Sequence, residues 1–279
     1  MSFLDFVRPV SSWSAAEVRE FLAGHHPDSL TLLDVRQPRE FAEGHLPGAL
    51  NIPLDALLER WPELDRAAPL IVYSAKGTRS HAAAAALAHA GCEQVHYLAG
   101  GLAAWQGELA AGRPEAELDL FLRFTRPTEH AALAWWLEEG TRRFYAAAAE
   151  LAKEPELATL FGELVMAEEG HKRMLRVVYE ALRGSLASDD FPAGELGEVA
   201  ADGYMEGGWR VAEAIAWARQ QPPRSILELA MAVETSALDR YLFLQRRLPD
   251  ENSRRIFEVL ADEERRHLKR LAAGLERIL

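Results

Sequence analysis

Residues 131–182 recur, in altered form, as residues 227–278. Glu138 matches Glu234, Tyr145 matches Tyr241, Phe161 matches Phe257, Leu164 matches Leu260, Glu168 matches Glu264 and His171 matches His267, every pair lying 96 positions apart, as from 138 to 234 and from 171 to 267. Two copies of this length make two helical hairpins and no solenoid. Apolar spacing at i, i+3, i+4 predicts long helices near 128–153, 155–184, 225–247 and 251–278. Pro155 suits a first helical turn, and Ser225 with Glu228 spells a capping box after Pro222 and Pro223. The stretch between the hairpins, which includes "ASDDFPAGELGEVAADGYMEGG", is long enough for the single crossover of a four-helix bundle and carries a short helix near 208–220.

The repeated residues also have a defined height in the bundle. In an antiparallel hairpin, positions equidistant from the turn lie level. Glu138 and Glu168 are centred on residue 153, beside the break at Glu154-Pro155, and Glu234 and Glu264 on Pro249. Each hairpin therefore sets one Glu opposite a Glu-x-x-His whose members share a helix face. Two hairpins face to face gather Glu138, Glu168, His171, Glu234, Glu264 and His267, the donor set of a di-iron or di-manganese carboxylate site in a bundle core. Six buried ionisable groups without cations would be costly. Glu139, Glu169 and Glu263, on the flanking positions, are expected as solvated surface charges. The Glu93 and His96 pair opens a strand, where i and i+3 point to opposite faces, and is set aside.

The stretches "LEEGTRRFYAAAAELAKEPELATLFGELVMAEEGH" and "VETSALDRYLFLQRRLPDENSRRIFEVLADEERRH" resemble the rubrerythrin branch of the ferritin-like superfamily. The resemblance implies that the six residues ligate two iron ions, or manganese in their place, with Glu168 and Glu264 as bridges. It also implies Tyr145 and Tyr241 as hydrogen-bonding partners of the ligands, with core packing as their alternative role. Rubrerythrins usually carry a further Glu one turn after the third-helix ligand, where this chain has Ala237. Within this sequence, one cysteine does not supply the thiolate-ligated iron domain that delivers their electrons.

The first hundred residues follow a different period. "LTLLDV", "PLIVYS" and "QVHYL" read as short buried strands alternating with amphipathic helices, an α/β pattern. The domains expected are 1–112, α/β; 113–127, a linker; and 128–279, the helical bundle. "LLDVRQPREFAEGHLPGALNIP", "VYSAKGTRS" and "HYLAGGLAAW" together resemble a single rhodanese domain. That family has a cysteine at the start of a C-x-x-G-x-R loop, and its thiolate carries a persulfide. Ser74, Gly77 and Arg79 stand at those positions. A hydroxyl holds no transferable sulfane sulfur, so the loop reads as a catalytically degenerate anion-binding or docking element. Cys92, the only cysteine, reads as buried and structural, and His45 and His81 as motif or surface residues.

Composition narrows the partners. A net charge of −12 disfavours nucleic acid and acidic membranes. One cysteine excludes an internal disulfide and a four-thiolate metal site within this chain. The absence of a signal peptide or a bilayer-length apolar run leads to the expectation of a cytoplasmic protein. The leading function is a di-iron oxidoreductase that reduces dioxygen or hydrogen peroxide with electrons from an external donor protein, a homo-oligomer being left open. The alternatives are a sulfurtransferase or sulfur-trafficking protein with a metal-binding bundle, and a noncatalytic metal-binding protein.

Overall fold

A computed structural model of the chain describes residues 10–107, 109–111, 124–197, 203–247 and 251–278. The chain divides into two compact units, Met1–Arg113 and Pro114–Leu279. Residues 113–123 of the expected linker and the turn residue Pro249 lie outside the described residues.

In the first unit, β1 (Ser11–Trp13), β2 (Thr31–Asp34), β3 (Leu50–Asn51), β4 (Leu70–Tyr73) and β5 (Val95–Leu98) form one sheet in the order β1-β5-β4-β2-β3. All its pairings are parallel. The helices are α1 (Ala15–Gly24), α2 (Pro38–Glu43), α3 (Leu57–Arg60) and α4 (Thr78–His89). The central strands are apolar at successive positions because both faces are covered. Leu70 and Val72 join one core with Leu33, Ala83 and Cys92, while Ile71 and Tyr73 join the other with Leu32, Phe41 and Leu98. Ser14 caps α1 through a capping box with Glu17.

The second unit contains α5 (Pro127–Leu151), α6 (Pro155–Arg183), α7 (Ala193–Leu196), α8 (Val211–Ala218), α9 (Pro223–Arg247) and α10 (Glu251–Ile278). The α/β domain with its parallel sheet, followed by a region of long helices, is the architecture read from the sequence. Here α5 packs along α6 and α9 along α10, and in the connection between the hairpins α7 and α8 contact α5 while Glu206–Gly208 contacts both α5 and α9. Pro155 occupies the first turn of α6, and Gly184, at φ 72°, closes that helix in the left-handed conformation. The expected cap at Ser225 is corrected: α9 begins at Pro223, so Ser225 lies inside the first turn and its N–H reaches Pro222 O at 3.0 Å. Proline lacks the N–H that a helix start leaves unused, so it enters the helix where a capping reading would have stopped. Glu228 pairs instead with Arg224, at 2.8 Å.

The bundle core is split along its length. Leu137, Leu175, Ala237, Tyr241, Phe257 and Leu260 belong to one apolar cluster, and Phe144, Tyr145, Phe161, Leu164, Val233 and Leu271 to another. Matched residues of the repeat fall in opposite clusters, as a two-fold relation between the hairpins requires. The layer between the clusters holds the repeated Glu and His residues. Among the described residues, no helix is long and apolar enough to cross a membrane.

Candidate metal centre and the Ser74 loop

All six repeated residues point into the bundle. Glu138, Glu168, Glu234 and Glu264 are fully buried, and His171 and His267 nearly so. The His171 Nδ1 lies 3.1 Å from Glu138 and 3.2 Å from Glu168. His267 Nδ1 lies 3.4 Å from both Glu168 and Glu234 and 3.7 Å from Glu264. The two imidazoles stack with centroids 4.8 Å apart. Donor atoms converge within 4.8 Å in three sets: Glu168, His171 and His267; Glu234, Glu264 and His267; and Glu138, Glu206 and Glu264.

The sequence reading missed Glu206. It lies in the crossover and is fully buried, and Tyr241 donates its hydroxyl to it. Tyr145 donates to Glu234 on the other hairpin. Both tyrosines therefore bond to carboxylates of this layer while also packing in the apolar clusters. Glu206 has no counterpart in the repeat, and that is why repeat arithmetic passed over it. The one available signal was an acidic residue set before the glycine pair in "YMEGGW".

Protonation in the layer follows burial and neighbouring charge. Burial, and then neighbouring carboxylates, push Glu168, Glu206 and Glu264 well above the carboxylate range. For Glu138 and Glu234 burial works in the same direction but is outweighed, chiefly by the charge of His171 and His267 respectively. Glu138 is lowered, and Glu234 falls to about 2. Burial opposes a charged His171, yet Glu138 and Glu168 outweigh it and push the imidazole up to about 11. Even so, Glu138 Oε1, both oxygens of Glu168 and Glu264, Glu234 Oε2 and both nitrogens of His267 have no aligned hydrogen-bond partner. Buried polar atoms are rarely left so in a native core. A carboxylate and imidazole set with unspent lone pairs fits a pair of divalent metal ions, the group that a bundle of this kind holds.

The flanking carboxylates are less exposed than expected. Glu139 is bound by Lys172 at 2.6 Å and by Arg142 at 2.8 Å, and these contacts outweigh burial and lower it to about 2. Glu169 also pairs with Lys172, at 3.3 Å. Glu263 lies 3.4 Å from His171 Nε2 and pairs with Arg266. An i, i+1 neighbour of a ligand can thus brace the ligand helix from outside. An open surface depression lined by Met166, Met174, Glu263 and Arg270 reaches His171.

In the first unit, Ser74 follows β4 and Gly77 precedes α4 at φ 92°, a left-handed turn suited to glycine. A Cβ on Gly77 would also stand 3.1 Å from the Gly100 N. The Ser74 Oγ accepts from the N–H groups of Gly77 and Ser80, both at 3.2 Å, and donates to the Ser80 hydroxyl at 3.3 Å. Arg79 forms a two-bond ion pair with Glu40, at 2.6 and 2.7 Å. Cys92 is buried in the sheet core, and burial raises its thiol. His45 is buried and stacked on Phe41, and His81 leans on Tyr97. Glu93 lies outside β5, and His96 stacks on Trp13 at 3.9 Å.

Fold and site together define a parallel-sheet α/β domain joined to a carboxylate-rich, metal-binding helical bundle. Residues 14–108 match the rhodanese-like domain model and residues 225–278 the rubrerythrin model. Through its first unit the chain belongs to the rhodanese-like family. It is 40% identical over 92 residues to the YqhL protein of Bacillus subtilis, a match covering 33% of this chain and 71% of that protein. It is 36% identical over 88 residues to the thiosulfate sulfurtransferase GlpE of Ectopseudomonas mendocina, covering 30% of this chain and 81% of the relative. Among solved structures, a rhodanese-related protein from Thermoplasma volcanium is 34% identical, covers 34% of this chain and 89% of its own, and superposes with a TM-score of 0.31.

Proposed function

We propose that the bundle is a di-iron oxidoreductase that reduces dioxygen or hydrogen peroxide, and that the α/β domain serves it as a binding or docking module. One observation carries this reading: four buried Glu and two buried His, related by an internal repeat, meet in one layer with unspent donor atoms. Iron held by that set would supply the redox chemistry. The chain's own residues do the rest. Glu138, Glu168, His171, Glu234, Glu264 and His267 would hold the pair, and burial beside other carboxylates raises the proton affinity of Glu168 and Glu264 among them. Tyr145 fixes the orientation of Glu234. Apolar clusters on both sides of the layer exclude water. The electrons come from an external donor protein. A cytoplasmic setting and the exclusion of nucleic acid belong to the same reading, given the charge of −12.

The test is anaerobic loading with ferrous iron, metal analysis, and addition of peroxide or dioxygen to the reduced protein. Two iron per chain and an oxidant-dependent change in the iron spectrum are expected; iron spectra that ignore both oxidants would refute the assignment.

Sulfur transfer is a second reading, motivated by the relative named as a thiosulfate sulfurtransferase. At Ser74 the hydroxyl is already engaged by two backbone amides and carries no sulfane sulfur. Thiosulfate-to-cyanide transfer by the chain as it stands would establish this reading. No transfer is expected, and Ser74→Cys is expected to create it if the loop keeps its shape.

A further inference from the structure

The 96-residue repeat makes a demand that the structure does not meet. Tyr145 donates to Glu234, so the matching pair should be Tyr241 and Glu138. Tyr241 donates instead to Glu206, a residue from outside the repeat. A carboxylate has been inserted into one half of an otherwise paired site.

The local sequence is built to deliver it. Tyr204 and Arg210 form an antiparallel bridge, closed by Met205 N–H to Trp209 O at 2.9 Å and Val211 N–H to Gly203 O at 2.8 Å. The bridge closes a small loop with Glu206 near its tip. Gly207 and Gly208, at φ 76° and 72°, turn the chain there. The loop sinks against α5 because residue 140 is glycine: a Cβ there would stand 2.0 Å from Tyr204 O and 2.8 Å from Met205 Cα. Thr141 then fixes the backbone, its Oγ1 accepting the Glu206 N–H at 3.1 Å and facing Glu206 Oε2 at 3.4 Å. Packing alone gives no reason to bring a fifth carboxyl group into a layer of four, since burial beside like groups is costly. Glu206 shares one donor set with Glu138 and Glu264, and there Glu138 Oε1 and both Glu264 oxygens are buried without an aligned partner.

We propose that Glu206 is a fifth carboxylate donor to the metal pair, carried in by the crossover, so that the two metal ions have unequal surroundings. This rests on the metal-centre reading above. Four carboxylates balance two divalent cations in charge; a fifth gives the site an excess negative charge that favours a more highly charged metal pair.

The experiment uses the full chain and zinc alone, a redox-inert probe. Wild type should bind two zinc ions, and a crystal structure of the loaded protein should place a Glu206 oxygen about 2.0–2.2 Å from one of them. In chelator competition, Glu206→Gln should keep the fold and weaken one equivalent by about tenfold or more, leaving the other unchanged. Two zinc ions held by the six repeated residues, with Glu206 still turned to Tyr241, would overturn this proposal and leave the metal-centre reading standing. So would a folded Glu206→Gln that binds both ions as wild type does. Wild type that takes up no zinc would bring down both. Should Glu206→Gln fail to fold, the loaded wild-type structure decides alone.

Discussion

Two glycines in neighbouring helices of the bundle should respond to alanine with opposite signs. Gly162, in the interior of α6, has nothing within 4 Å of the place a Cβ would take. Alanine there gains the usual helix preference over glycine, roughly 0.5–1 kcal/mol. Gly140, inside α5, faces the backbone of Tyr204 and Met205. Ordinary contact begins at 3.4 Å and the Cβ would stand at 2.0 Å, so the crossover must retreat by the difference of about 1.4 Å. Backbone is no flexible side chain, and overpacking of this kind costs roughly 1–3 kcal/mol. Set against the helix gain, Gly140→Ala should be destabilising, by about 1 kcal/mol and at most about 2.5 kcal/mol. At roughly 2–4 °C per kcal/mol for a unit of this size, its thermal midpoint should fall by about 2–4 °C, and at most about 10 °C, while that of Gly162→Ala rises. Differential scanning calorimetry reads both. Because the retreat would withdraw Glu206, Gly140→Ala should also weaken zinc in the manner of Glu206→Gln. A Gly140→Ala protein as stable as wild type would show that the crossover does not rest on α5 as described.

Metal affinity should rise steeply with pH. Burial and neighbouring carboxylates raise Glu168 and Glu264, and, against burial, Glu138 and Glu168 push His171 up to about 11, so protons compete with cations for these donors. Titration calorimetry in buffers of different ionisation enthalpy should find net proton release on loading; no release would refute the scheme. In the first unit, the Arg79 hydrogen bonds hold the Glu40 carboxyl down at about 2. A lowered carboxylate contributes stability that is complete above its unfolded value near 4.5 and is lost as pH falls towards 2. Both side chains are about a third exposed, so solvent screening cuts the contribution to about 1 kcal/mol. Arg79→Ala should therefore flatten the acid limb of the unfolding curve between those pH values and leave its shape at neutral pH unchanged. Ser74→Ala should cost about 1–2 kcal/mol, read by denaturant unfolding, because two buried N–H groups lose their acceptor.

The repeat made the six-residue layer legible, since two features, spacing and symmetry about each turn, had to agree. The long helices were equally readable from their apolar period and their flanking Pro155 and Gly184. The strands β2, β4 and β5 announced themselves as apolar runs. Strand β1, with the sequence "SSW", and two-residue β3 carry no such run and exist because a neighbour's edge is there to pair with. Glu206 was hidden for a related reason: its place depends on the missing Cβ at Gly140, a contact between distant segments with no local pattern. Ser225 misled because capping chemistry and a proline start look alike in sequence. The Glu139 and Lys172 pairing needed the three-dimensional meeting of α5 and α6.

The hydroxyl of Ser74 gives its loop a permanent tenant. A socket that must wait for a guest stiffens when the guest arrives, whereas this one already has its amide prongs gripped from within. Its contour should therefore be the same with or without dissolved anions, and whatever meets this domain should meet a finished shape.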